Sequence, residues 1–407
     1  MAATKPAAAK ADLSAPPPFT LQELRAAIPE HCWKKARGAG GGGGNPWRSL
    51  SFALLDLVIV AAMAWGAARA KSWAVWPLYW FAQGTMFWAM FVVGHDCGHG
   101  SFSDSRRLND AVGHLMHSLI LVPYHGWRLS HKKHHGNHGH IDNDESWHPV
   151  TKTVHDELGW QARLGRLSFP GSLLSFPFYL VWGSPGRAHS HYHPHSDLFS
   201  KHQRPMVITS DICLALMYSA LVAAMIMVGG GAVAKLYCAL AAAMVMVGGG
   251  AVAKLYWAPW VVFVVWLDTV TYLHHHGPHD ETMKMPWYRG KEWSYLRGGL
   301  TCLDRDYGAF SGITHNIGTH VVHHLFPQIP HYHLKEATAA IRPILGPYYR
   351  EPAPSPGPLP LHLIKPLARS FATDRWVPDA GDVVFYQCEA DLAAERAAAA
   401  SPSKKAV

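Results

Sequence analysis

Three histidine runs, far apart in the chain, share one geometry: His95-Asp-Cys-Gly-His99, His131-Lys-Lys-His134-His135 and His320-Val-Val-His323-His324. On a helix, residues four apart lie about 40° from one another around the axis, and residues three apart about 60°. HxxxH therefore aims two imidazoles at one point, and HxxHH spreads three over an arc of about 100°. One such pair would suit zinc. Three runs offer eight nitrogen ligands, about twice what a closed zinc site uses. The count points to a two-metal centre, so the fold must bring all three runs to one place.

The apolar stretches limit how that can happen. Ser49–Ala68 is apolar apart from Asp56 and is bounded by Arg48 and Arg69, and Trp73–Val93 carries no charge. At 1.5 Å per residue each covers a hydrocarbon core of about 30 Å. A third apolar block runs from Ile212 to Leu273. The expected architecture is an all-α membrane protein with four transmembrane helices, near residues 49–68, 73–93, 212–234 and 255–273. A cytosolic helical cap would hold the metals. The islands Leu115–Tyr124 and Ser168–Trp182 contain Pro and are short for spanning, so they are expected on the membrane surface. Only 16% of residues are charged, against about 25% in a soluble domain. Seventeen Trp and fifteen Tyr suit a long membrane–water boundary. The net charge of +8 fits an anionic membrane surface. Its scatter and the lack of a recognition motif argue against nucleic acid.

Three domains are expected: a disordered Ala/Pro/Gly-rich arm over 1–46, with a short helix near Leu21–Ala27; the membrane domain over 47–390; and a flexible tail over 391–407. The six cysteines form no CxxC pair, which favours a reducing compartment without a disulfide framework; Cys97 reads as a small packing residue. Ala223–Tyr237 recurs as Ala242–Tyr256 with one difference. The second and third histidine runs share a side only if an even number of crossings separates them. The second copy, with its glycine triplet, is therefore expected to make no independent crossing. A recent duplication or a faulty gene model accounts for the same residues equally well.

The donor set narrows the chemistry. Histidine nitrogen suits iron, copper, zinc or nickel. There is no HExxH for a hydrolytic zinc site. The single ExxH, Glu145-Ser-Trp-His148, fails the template of soluble di-iron bundles. An all-histidine dinuclear site at the rim of a bilayer suits redox chemistry with O₂ on a hydrophobic substrate. Among the remaining histidines, His275 (within His274–His276) and His315 are candidate additional ligands. His114, His117, His125, His138, His140 and His148 read as packing or ligand-orienting groups. His189, His191, His193 and His195 alternate as in a surface loop.

At these residues the chain resembles the membrane-bound fatty acid desaturases, and within them the plant omega-3 (linoleate) desaturases of the endoplasmic reticulum type. The runs that carry the resemblance are GHDCGHGSFS (94–103), VPYHGWRLSHKKHHGNHGHIDNDESWHP (122–149), SPGRAHSHYHPHSDLF (184–199), VTYLHHHG (270–277), PWYRGKEWSYLRGGLTCLDRDYG (286–308) and IGTHVVHHLFPQIPHYHL (317–334). The resemblance implies two irons held by His95, His99, His131, His134, His135, His320, His323 and His324, with His275 as a ninth ligand. It implies O₂ as co-substrate and removal of two hydrogens from adjacent methylene carbons, which would turn linoleate into alpha-linolenate. The implied partners are cytochrome b5 with its NADH-dependent reductase and a phospholipid-linked linoleoyl substrate; an oligomer with itself or with other desaturases is compatible with it.

Two features make the endoplasmic reticulum membrane, with both termini cytosolic, the expected location. TLQELRAAIPEHCW (20–33) resembles the start of the family's shared region and leaves little chain for a plastid transit peptide. Lys404-Lys405 resembles a dilysine retrieval signal. Lys132-Lys133 stands where relatives usually carry Arg-Thr, and should face away from the ligands. Thr314-His315-Asn316 stands where omega-3 relatives usually read His-His-Asp, which would remove a hydrogen bond around the site. An omega-6 desaturase, hydroxylase or conjugase on the same scaffold is the alternative, as is an inactive relative. A histidine-rich metal transporter would need polar ligands near the bilayer midplane, where the spans hold only Asp56 and Asp268.

Overall fold

The computed structural model describes residues 11–33, 46–229, 252–277 and 285–400. Most of the duplicated segment, on which the expected lack of an independent crossing rests, lies outside these residues, as do Lys404 and Lys405.

The described chain is helical with two small two-stranded sheets. Helices α1 (Leu21–Ala27), α2 (Trp47–Ala67), α3 (Val75–His99), α4 (Arg106–Ser118) and α5 (Tyr124–Asn137) are followed by α6 (Phe176–Trp182) and α7 (Arg204–Gly229). Next come α8 (Ala258–His275), the one-and-a-half-turn α9 (His320–Leu325) and α10 (Leu334–Leu345). The second and fourth expected spans, α3 and α8, form the centre. They pack against each other and bury Phe87, Trp88, Phe91, Phe263, Val264 and Leu267 in one core. Gly84 permits the approach: a Cβ there would lie 2.5 Å from Val262 Cβ. The first expected span, α2, packs on α3, and the third, α7, packs on α4 and α5; both turn apolar side chains outward, among them Leu54, Leu55, Val58, Ile208, Ile212 and Leu216. Such faces suit lipid contact.

Among the described residues, two stretches, Trp47–Ala67 and Lys201–Ala224, are long and apolar enough to cross a membrane by length and composition. Four were expected. Helix α3 is 25 residues long but carries Trp, Tyr and Gln, and α8 has 18 residues and ends in histidines, so neither meets the same measure. An aromatic–cation girdle marks the end of the bundle away from the boxes. Arg69 lies over Trp65 at 3.9 Å, and Lys254 over Trp73 at 4.5 Å. Amphipathic side chains of this kind sit at membrane–water interfaces.

Several regional expectations change. The arm is ordered from residue 11 to residue 33: Leu13, Phe19, Leu24, Ile28 and Cys32 are buried, and α1 carries a capping box between Thr20 and Glu23. Low overall hydrophobicity hid a few apolar residues that dock on α10 and α9. The expected tail begins inside a helix, Glu389–Ala400, as an Ala-rich run with acidic residues in its first turn favours. The island Leu115–Tyr124 is not a surface patch, because Met116, Ile120, Val122 and Tyr124 are buried beneath the cluster. The island Ser168–Trp182 does expose Phe169, Leu174, Phe178 and Trp182.

Candidate metal centre

Helix α3 carries His95 and His99 in its last turns, past the buried apolar stretch. Helix α5 carries the second box, and its ligand arc faces inward: His134 and His135 are buried while Lys132 and Lys133 are exposed. The lysine pair does face away from the cluster, with Lys133 Nζ donating to the Leu198 carbonyl. The third box fills α9, which a distant carboxylate caps. Asp304 Oδ1 accepts the backbone N–H groups of His320 at 2.7 Å and Val321 at 2.8 Å. That satisfies donors a helix N-terminus otherwise leaves open.

The three boxes meet. Ligand atoms of His95, His99, His131, His135 and His323 all lie within 4.8 Å of one another. A second group under the same limit joins His275, Cys302, His320 and His324, and a third joins His134, His138 and His324. The groups adjoin: His324 belongs to the second and the third, and its ring stacks on that of His135, of the first, with centroids 4.1 Å apart. Within them, His323 Nε2 is 3.2 Å from His135 Nε2, and His324 Nε2 is 3.0 Å from His320 Nε2. His320 Nε2 is 3.3 Å from His275 Nε2. Nitrogens bound about 2.1 Å from one ion stand roughly 3.0–3.4 Å apart in octahedral or tetrahedral geometry. All eight box histidines and His275 thus lie in one double-lobed cluster.

The polar balance tests whether metal fits. His99 Nε2, His131 Nε2 and His134 Nε2 are buried with no hydrogen-bond partner, as are the Nδ1 atoms of His95, His135, His275, His320 and His324. Burial, reinforced by neighbouring imidazoles, holds His131, His135, His320, His323 and His324 far below the usual histidine range. They are neutral, and His131 Nε2 and the Nδ1 atoms of His135, His320 and His324 find no hydrogen-bond partner. Such a cluster is costly when buried alone, and its donor set suits two first-row metal ions.

Other candidates are placed elsewhere. His315 does not enter the cluster: its Nε2 lies 2.7 Å from Asp56 Oδ2, inside the first expected span. His274 is tied to the Leu303 carbonyl and Tyr307, and His276 stacks on Tyr272. His138 has both nitrogens engaged, by Asp144 Oδ2 at 3.2 Å and Thr301 Oγ1 at 3.0 Å. His117 bonds the Phe91 carbonyl and His148 the Pro185 carbonyl. The expected surface loop is half wrong. His193 and His195 are exposed, but His191 is buried, and His189 Nε2 lies 2.6 Å from Glu145 Oε1. Glu145 Oε2 in turn accepts from Ser130, Ser146 and Tyr179. Thr314 bonds the Phe310 carbonyl.

Sequence reasoning missed the supporting carboxylates Asp144 and Asp304 and the buried thiol Cys302. None has a periodic signal: Asp144 reaches His134 and His138 across the turn that follows α5, and Asp304 and Cys302 meet their partners across longer stretches of chain. Asp96, inside box one, accepts from the His331 backbone and ring at 3.1 and 3.0 Å. It thereby ties the first box to the segment after the third.

The fatty acid desaturase family model matches residues 71–353, which include all three boxes. The chain belongs to the fatty acid desaturase family. A second model, a domain of unknown function (DUF3474), matches residues 2–65, the region whose N-terminal part docks on α10. Over 94% of its length the desaturase chain is 55% identical to an Arabidopsis thaliana protein named sn-2 acyl-lipid omega-3 desaturase (ferredoxin), chloroplastic, covering 79% of that protein. It is 51% identical over 94% of its length to the Arabidopsis acyl-lipid omega-3 desaturase (cytochrome b5), endoplasmic reticulum, covering 90% of it. It is also 53% identical over 93% of its length to the Nicotiana tabacum omega-3 fatty acid desaturase, endoplasmic reticulum, covering 91%.

Proposed function

We propose that this chain is an omega-3 acyl-lipid desaturase that introduces a third cis double bond into linoleate, giving alpha-linolenate. One observation carries the reading: nine imidazoles from four segments converge beside the ends of long apolar helices, seven of them buried and eight with a buried ring nitrogen that lacks a hydrogen-bond partner. Relatives named omega-3 desaturases, matched over nearly the whole chain, supply the regiochemistry.

His95, His99, His131, His134, His135, His275, His320, His323 and His324 would hold two irons. Bound there, the irons would supply the activation of O₂ and the removal of hydrogen from two adjacent methylenes. The protein's own part is positional. Asp144 and Asp304 fix the second and third boxes, and the aromatic core around Trp88, Phe91 and Trp127 seals the cluster from the apolar side. A dry, rigid site of this kind orients a substrate and excludes water.

We place the protein in the endoplasmic reticulum membrane, with four crossings, both termini cytosolic and cytochrome b5 as electron donor. The relatives named for cytochrome b5 and the endoplasmic reticulum support this. The test is expression in yeast fed linoleate, with fatty acids read by gas chromatography. Alpha-linolenate is the expected product. A hydroxylated or conjugated product, or a dienoate made from oleate, would move the chain to the alternative chemistry, and no product at normal protein level would make it an inactive relative. Purified protein driven by cytochrome b5 and its reductase, against ferredoxin, decides the donor.

A further inference from the structure

A second cluster of metal-ligating side chains lies outside the histidine boxes, where the N-terminal segment meets α10. His31 and Cys32 belong to the short turn Glu30–Trp33, and His333 and Glu336 flank and begin α10. One ligand atom from each of the four lies within 4.8 Å of all the others. His31 Nε2 is 2.8 Å from Glu336 Oε1, and His333 Nδ1 is 3.7 Å from Glu336 Oε2.

We propose that His31, Cys32, His333 and Glu336 bind one zinc ion, which clips the N-terminal segment to the back of the box-three helix. Four donors are the number a closed structural zinc site takes, and tetrahedral ligand atoms at zinc bond lengths stand about 3.3–3.8 Å apart. A sulfur, two imidazoles and one carboxylate select zinc over the hard cations calcium and magnesium. The ligands come as an adjacent pair and an i,i+3 pair from segments 301 residues apart, so the ion would cross-link the N-terminal segment to α10.

A simple His31–Glu336 ion pair explains less. It is half exposed, a setting in which such pairs contribute little, and it does not account for the approach of the Cys32 sulfur and a His333 ring nitrogen to the same carboxylate. Cys32 is fully buried, and its sulfur lies within 4.8 Å of a ligand atom of each of the other three. The half-exposed His31 and Glu336 give the ion a path in. What the clip would stabilise is visible in the packing: Leu24, Ile28 and Cys32 share a core with Val321, Val322 and Leu325 of α9.

Elemental analysis of full-length protein purified in detergent tests this, and its readout is independent of iron and of desaturation. One zinc per chain is expected. Cys32→Ser and His31→Ala should each lower zinc about tenfold or more with iron unchanged. His31 is exposed, so its variant keeps the test valid should Cys32→Ser misfold. Protein grown with cobalt(II) in place of zinc should show a sulfur-to-cobalt charge-transfer band that Cys32→Ser lacks. Wild-type protein with no more zinc than the variants, or cobalt protein without the sulfur band, overturns the proposal.

Discussion

Asp144 Oδ1 lies 2.8 Å from His134 Nδ1, with both side chains buried. Its other oxygen lies 3.2 Å from His138 Nδ1, and Trp147 N–H donates to Oδ1. Burial alone would raise this carboxyl; the adjoining histidines more than offset that and hold it below the usual range. His134 is thereby fixed with Nδ1 as donor and Nε2 turned toward the cluster. Asp144→Asn should lower iron retention and linolenate yield by about 10–100-fold, the usual cost of losing a group that orients a metal ligand. Iron content and product should fall together; full iron with full product would remove Asp144 from this role.

His315 and Asp56 make the opposite prediction. Their buried pair joins α2 to the loop before box three, and the His315 ring meets Phe52 and His331. His315→Ala leaves Asp56 buried without its partner, a change of about 3–5 kcal/mol, so thermal stability should drop. Iron bound per folded chain should stay near wild type, whereas His323→Ala should lose iron. Equal iron loss in both variants would place His315 among the ligands after all.

Buried histidines outside the cluster set a pH dependence. Burial takes His117 and His125 down to about 3 and His148 to about 4, against about 6.5 in an unfolded chain. Between those values the unfolded state binds more protons, so stability falls as pH falls. It is fully present above about 6.5 and is lost progressively toward 4. The thermal midpoint in detergent should be flat above neutrality and decline as the buffer is acidified. His148→Gln, which keeps a donor for the Pro185 carbonyl, should soften that decline. A midpoint unchanged on acidification would contradict the assignment.

How much was legible in the sequence follows from range. The boxes could be read because three- and four-residue spacings are local, and a helix turns them into geometry without outside help. Apolar length located α2 and α8 within three residues for the same reason, but missed the end of α3 by six and the start of α7 by eight, where polar residues continue the helix. Asp56 was noticed as an anomaly in a span, yet its partner lies 259 residues away, and no spacing announces such a pair. The same holds for Glu145 with His189 and for Asp304 capping α9. The N-terminal arm misled because composition averages over many residues, while docking needs only Phe19, Leu24, Ile28 and Cys32.

The tightest backbone approach near the cluster gives the last prediction. The short helix Tyr295–Gly299 lies against the end of α5, and a Cβ on Gly298 would fall 1.9 Å from the His138 carbonyl oxygen. That oxygen is a backbone atom held by Trp293 Nε1 at 2.9 Å, and Thr301 reaches the ring of the same histidine. It cannot swing aside as a flexible side chain would. Gly298→Ala must therefore push the two segments apart, at about 1–3 kcal/mol or more, and shift His138 with Asp144 and His134. Gly136 is the control, since a Cβ there meets nothing within 4 Å and its position in α5 is helical. Gly136→Ala should be neutral or stabilise by up to about 1 kcal/mol. Thermal unfolding and iron content of the two variants side by side separate the cases: loss of both is expected for Gly298→Ala, and an unfolding midpoint as high as that of Gly136→Ala would show that the two segments are not packed this closely.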